Sequence, residues 1–229
     1  MPVRVVPGEI GSKDVTTRIV VPTPDQPRWP PFDRVAETIA TPRRPFPPHQ
    51  HSDVEVLTYV IEGSASYLFG HNAPDSLLVG SVRLLTARAP VSHAINPDKG
   101  RTIRLFSLVV TLPPGASGST TLQSGQVGAT EMQPDGTVLR NLVGPRSALH
   151  SAAGLECEGI EFIQDGTAFR RIGHDRVAVI YALSGSGMID NEMLEAGEAA
   201  LVDDAAGVAL KGEPGFNVIL STAPRASKG

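Results

Sequence analysis

His49 and His51 stand two residues apart at the head of residues 46–63, FPPHQHSDVEVLTYVIEG. The side-chain period of a strand is two, so histidines at i and i+2 point to one face. Two imidazoles held on one face are half of a metal site. His93 follows downstream, after RLLTARAPVS, and can close the site from a different strand. Asp53 and Glu55 share the odd-numbered face with the first pair if the strand stays regular. Glu55 is then a candidate oxygen ligand. Three imidazoles and one carboxylate suit Fe(II), Mn(II), Ni(II), Cu(II) or Zn(II), with a position open to water or substrate. The residue types do not choose among these ions.

Other candidates carry less chemistry. His71 sits in the turn-like GHNAPD and is expected in solvent, and His150 and His174 are expected at the surface or in packing. Cys157 lies between Glu156 and Glu158, whose charges raise a thiol pKa rather than activate it. Asp203-Asp204 reads as a turn. No phosphate-cradling glycine loop and no Ser-His-Asp pattern stands out.

The elements that must position the histidines are strands. Pro42, Pro45, Pro47 and Pro48 hold the backbone extended ahead of His49. An apolar run through Val54, Val56, Leu57, Tyr59, Val60 and Ile61 follows and stops at Gly63. TIRLFSLVVTL, residues 102–112, predicts a second strong strand, and NPDKG between the two predicts a turn. With 23 Gly and 20 Pro, and few helix-favouring runs, the composition points to many short strands at roughly 8–12-residue spacing. Tyr59-Val-Ile-Glu-Gly63 resembles Tyr181-Ala-Leu-Ser-Gly185, and Gly80 with SVRLLTA resembles Gly197 with EAALVDD. Two copies of one β unit are the simplest account. Aligned through these repeats, Arg171, Gly173 and Leu210 stand where the first copy has His49, His51 and His93, so only the first copy has a site. The expected layout is an N-terminal barrel at 1–115, a Gly/Ser/Thr-rich linker at 116–130 and a C-terminal barrel at 131–229.

Net charge is −4 without a basic tract, which removes the electrostatic case for nucleic acid or an anionic membrane. A single cysteine rules out an internal disulfide and fits a reducing compartment. No apolar run approaches the roughly 18 residues that span a bilayer, and the first residues lack a signal-peptide core. A cytoplasmic location is the expectation.

Residues 30–63, PPFDRVAETIATPRRPFPPHQHSDVEVLTYVIEG, resemble the pirin family of bicupins in the spacing from PPH to Thr-Tyr-Val and the closing Glu-Gly. RLLTARAPVSHAI at 83–95 and DGTVLRNLVG at 135–144 resemble two further stretches of that family. The resemblance implies an all-β double cupin: two β-barrel domains in one chain, with one metal, often iron, in the N-terminal barrel. The family's ligands are three His and one Glu. Carried over, His49, His51 and His93 match the histidines, and the Glu falls on Ile95, which cannot ligate. Glu55 is similar in position to the Glu of the general cupin motif, and is the expected substitute as ligand and, near the metal, as general base. Arg88 and Pro90 replace two of the family's loop glycines. The resemblance implies a metal-dependent dioxygenase of the quercetin 2,3-dioxygenase type, with Fe(II) as the first expectation, acting on a flavonol or other small phenolic. Its alternative implication is a non-catalytic regulatory protein that binds a protein partner, for which Ile95 is the support.

Overall fold

Strands are the only regular elements of the computed structural model, which describes residues 3–11, 16–115, 118–127 and 130–226. Two compact units divide the chain. One comprises Glu9–Gln126 with Ser151–Ala153; the other comprises Met1–Gly8, Val127–His150 and Gly154–Gly229.

In the first unit a seven-stranded sheet runs in the order Thr121–Gln126, Ser81–Ala87, Val54–Glu62, Ile103–Thr111, Phe32–Ala40, Thr16–Val21, Glu9–Gly11. A four-stranded sheet runs Phe46–His51, Val91–Pro97, Ser64–Phe69, Asp75–Leu78. The two apolar strands predicted above, Val54–Glu62 and Ile103–Thr111, are neighbours in the middle of the large sheet. One apolar core joins Val60, Leu105 and Ile103 of the large sheet to Ile95, Tyr67 and Leu77 of the small one. Each such side chain, when fully buried, stabilises the fold by roughly 1.5–3 kcal/mol. Gly63 ends the apolar strand because no other residue fits. Its φ is +83°, and a Cβ there would lie 2.0 Å from the Thr102 carbonyl oxygen.

The second unit repeats the plan. Its seven-stranded sheet runs Val3–Val6, Ala199–Asp203, Arg176–Ser184, Asn217–Pro224, Glu156–Phe162, Thr137–Val143, Glu131–Met132. Its four-stranded sheet runs Gly166–Arg171, Gly207–Gly212, Ser186–Ile189, Glu192–Glu195. The internal repeat is therefore real, and the chain is an all-β bicupin.

Two expectations need correction. The predicted linker at 116–130 contains the strand Thr121–Gln126, which pairs with Ser81–Ala87 in the first unit, and the first strand, Val3–Val6, pairs with Ala199–Asp203 in the second. Both are edge strands, and Thr121–Gln126 has no buried residue. Thr121–Gln126 is held through its backbone and carries little apolar signal, so its composition looks like a linker. The counterpart of His49 opposite His93 is also shifted: by register and burial it is Arg170 opposite Val208, not Arg171 and Leu210. A register shift between His93 and Ile95 in the first small sheet has no equivalent in the second.

Among the described residues no helix is long and apolar enough to cross a membrane.

Candidate metal centre

The three histidines meet. His49 and His51 lie on Phe46–His51, and His93 lies opposite His49 on the adjacent strand Val91–Pro97. His93 Nε2 is 2.8 Å from His49 Nε2 and 3.1 Å from His51 Nε2. One ligand nitrogen from each lies within 4.8 Å of the other two. Cis nitrogens on a cation at a bond length of about 2.1 Å stand about 3 Å apart, so these separations fit a shared metal. Bare imidazole lone pairs repel, and a proton on His93 Nε2 can be directed at only one neighbour. A divalent cation resolves all of them together.

Local packing orients the rings. His49 Nδ1 lies 2.9 Å from the Pro47 carbonyl oxygen, which accepts the Nδ1 proton and leaves the Nε2 lone pair facing the cluster. The extended backbone set by Pro47 and Pro48 brings that carbonyl into place. The Phe46 ring meets His49 edge-on, with centroids 4.7 Å apart. Burial lowers the pKa of all three, with their mutual repulsion or the Arg34 charge adding to it: His51 falls to about 4, His93 to about 3, and His49 moves the same way. All three are therefore neutral near pH 7, the form that binds metal.

The rings face a cavity of about 90 Å³ within the first unit. Ile95 lines it, buried against Leu105 and Tyr67 in the apolar core. No carboxylate lines it among the described residues; its polar walls are Arg34, Thr38, Thr58 and Ser107. Sequence reasoning missed these four. The signal was alternation: Arg34, Ala36 and Thr38 fall on one face of Phe32–Ala40, opposite Val109, Ser107 and Leu105.

Glu55 does not join the histidines, which corrects its assignment as ligand and as general base. Asp53 has φ +59°, in the left-handed region, and breaks the strand between His51 and Val54. The alternation restarts beyond the break. Val56 and Thr58 then line the cavity, and Glu55 faces the other side of the sheet. There it is fully buried, and its carboxylate accepts from Thr86 Oγ1 at 2.7 Å, Ala152 N at 2.8 Å, Ala153 N at 3.1 Å and the Ser151 hydroxyl. No lone pair remains for a metal or a substrate proton.

The remaining candidates lie elsewhere. His71 and His150 are exposed, and exposed His174 has its Nδ1 3.1 Å from Asp204 Oδ1. Asp204 has φ +53° in a turn. Cys157 is buried with its thiol pushed up to about 12, by burial first and by the Glu158 charge to a lesser degree, which leaves it unreactive.

No family model matches the chain. A pirin-like protein of Caulobacter vibrioides is 31% identical over 67 residues, 29% of each chain, so the alignment spans less than a third of that relative. The crystal structure of the bacterial pirin YhhW from Escherichia coli, in complex with nickel(II), superposes with a TM-score of 0.82 at 14% identity, covering 98% of this chain and 100% of that one. Quercetin 2,3-dioxygenase from Acinetobacter baumannii superposes with a TM-score of 0.82 at 18% identity, covering 97% and 79%. The chain is thus similar in sequence to a pirin-like protein over 67 residues, and it shares its fold with the bacterial pirin and the quercetin 2,3-dioxygenase.

Proposed function

We propose that the first barrel holds one divalent transition metal on His49, His51 and His93, and that the protein is a metal-dependent dioxygenase of the quercetinase type acting on a small phenolic substrate. One observation carries the proposal: one nitrogen from each of three imidazoles lies within 4.8 Å of the other two at the wall of a cavity, and the single proton that His93 Nε2 can carry answers only one of its two neighbours. Such a metal supplies Lewis acidity and one-electron chemistry for bringing a phenolate together with dioxygen. Fe(II) is the first candidate, and nickel(II), the ion in the YhhW complex, is a second.

The chain's own contribution is position and exclusion. Pro47 fixes the His49 tautomer. Val56, Val109 and Ile95 keep water from the walls, and the hydroxyl of Thr58 offers a hydrogen bond to a substrate oxygen. Size narrows the substrate. Sites for drug-sized ligands usually enclose about 300–1,000 Å³, so a cavity of about 90 Å³ favours a single-ring substrate.

Elemental analysis of the purified protein should find about one transition metal per chain. His51→Ala and His93→Ala should each lose it, and the loaded wild type should consume oxygen with a phenolic substrate. Full metal occupancy in the His93→Ala protein would rule out the site.

A further inference from the structure

Arg34 is the one charged side chain lining the cavity among the described residues. It lies on Phe32–Ala40 opposite Val109, which in turn lies opposite Val56, so this row of the sheet offers it no acidic partner. No acidic side chain pairs with it among the described residues. Two other arginines of the same unit are paired, Arg104 with Glu37 at 2.7 Å and Glu62 at 3.0 Å and Arg83 with Asp75 at 2.6 Å, but neither lines the cavity. Arg34 is half-buried, and burial without a counter-charge lowers its pKa, as it does for any cation taken from water unpaired.

The charge balance of the cavity points the same way. No carboxylate lines the wall among the described residues. Arg34 contributes one positive charge and a divalent ion would add two. An anion entering this space meets the Arg34 cation, and a metal held by the histidines would add to that attraction, with no carboxylate in the lining to repel it. Guanidinium holds a carboxylate through two parallel N–H···O bonds, a geometry that a lone phenolate oxygen cannot match.

We propose that Arg34 forms a carboxylate subsite beside the three histidines, and that the substrate is a single-ring phenolic acid whose carboxylate pairs with the guanidinium. The inference deepens the metal-centre proposal and rests on it for the phenolic half of the substrate. The carboxylate half rests on Arg34 alone. In this arrangement the carboxylate is held at the large-sheet wall and the phenolic oxygen points toward the histidines. The hydroxyl of Thr58, in the row next to Arg34 across the large sheet, can donate to the ring oxygen.

The test uses the full chain, metal-free and loaded with nickel(II), titrated calorimetrically with benzoate, 2-hydroxybenzoate and phenol. Benzoate should bind metal-free wild type, with phenol at least tenfold weaker. Arg34→Gln should lose at least tenfold in affinity for both acids, keep its affinity for phenol, and keep its nickel content by elemental analysis. Arg34→Lys, which retains the charge without the fork, should fall between the two and guards against a folding defect in the glutamine variant. Nickel loading should strengthen 2-hydroxybenzoate more than benzoate. Equal binding of phenol and benzoate by wild type, or benzoate binding by Arg34→Gln within twofold of wild type, overturns the subsite. Arg34-dependent benzoate binding by a protein that takes up no metal upholds the subsite while removing the metal centre.

Discussion

Ala153 donates its backbone N–H to Glu55 Oε2 at 3.1 Å, across 98 residues of chain. Ala152 and the hydroxyls of Ser151 and Thr86 donate to the same carboxylate. Glu55 is thus the anchor of a short excursion, Ser151–Ala153, that the chain makes back into the first unit. Glu55→Ala leaves these buried donors without their acceptor. The expected cost is about 3–5 kcal/mol, read as a drop in the urea midpoint. Glu55→Gln keeps one acceptor oxygen and should cost about 1–3 kcal/mol with metal stoichiometry unchanged. Loss of metal in the glutamine variant would return Glu55 to the site.

Asp53 sets the handover between the two sheets through its left-handed backbone. Its carboxylate accepts from the neighbouring Ser52 hydroxyl at 2.8 Å. Asp53→Asn and Asp53→Gly should be tolerated, because both residues enter that region of φ and ψ at little cost. Asp53→Val should destabilise by about 1–3 kcal/mol. Because His51 lies two residues before the break, the valine variant should also bind metal more weakly. Chelator competition on all three variants measures this.

Ile95 is 1% exposed and faces both the core and the cavity. Ile95→Glu would bury a carboxylate beside the three imidazoles. Without metal it should destabilise by about 3–5 kcal/mol, since nothing nearby except Arg34 balances the charge. With nickel(II) or zinc(II) the penalty should largely vanish, and metal affinity should rise at least tenfold. Denaturation midpoints with and without metal separate the two effects. An Ile95→Glu protein equally destabilised in both conditions would argue against a cation at the histidines.

The histidines also set a pH dependence. Their folded-state pKa values lie below the ordinary 6.5, with His51 at about 4 and His93 at about 3. As pH falls, the unfolded chain takes up protons first. The metal-free protein should therefore be at full stability above about pH 6.5 and lose stability progressively toward pH 4 and below. The slope should flatten in a His51→Gln, His93→Gln double variant. Urea midpoints at pH 7.5, 6 and 5 provide the check.

Much of this molecule is legible from residue order. The period-two pair His49 and His51 is a local property of one strand, fixed by backbone geometry before any tertiary contact forms. The apolar strands, the terminating Gly63 and the two-copy layout are local or near-local as well. His93 could be named by residue type, but its place opposite His49 depends on strand pairing across 44 residues.

The tertiary structure decided the rest, in each case because a long-range contact overrode a local pattern. Glu55 keeps an odd number, yet one left-handed residue at Asp53 resets the alternation and hands its carboxylate to Ser151–Ala153. Arg34 looks like a surface residue between Asp33 and Val35; only pairing of Phe32–Ala40 with Ile103–Thr111 turns it toward the histidines. The strand Thr121–Gln126 joins its sheet through backbone hydrogen bonds, which any sequence can make and which leave no mark in composition, and the apolar Val3–Val6 buries Val3 and Val6 by pairing with Ala199–Asp203, far along the chain.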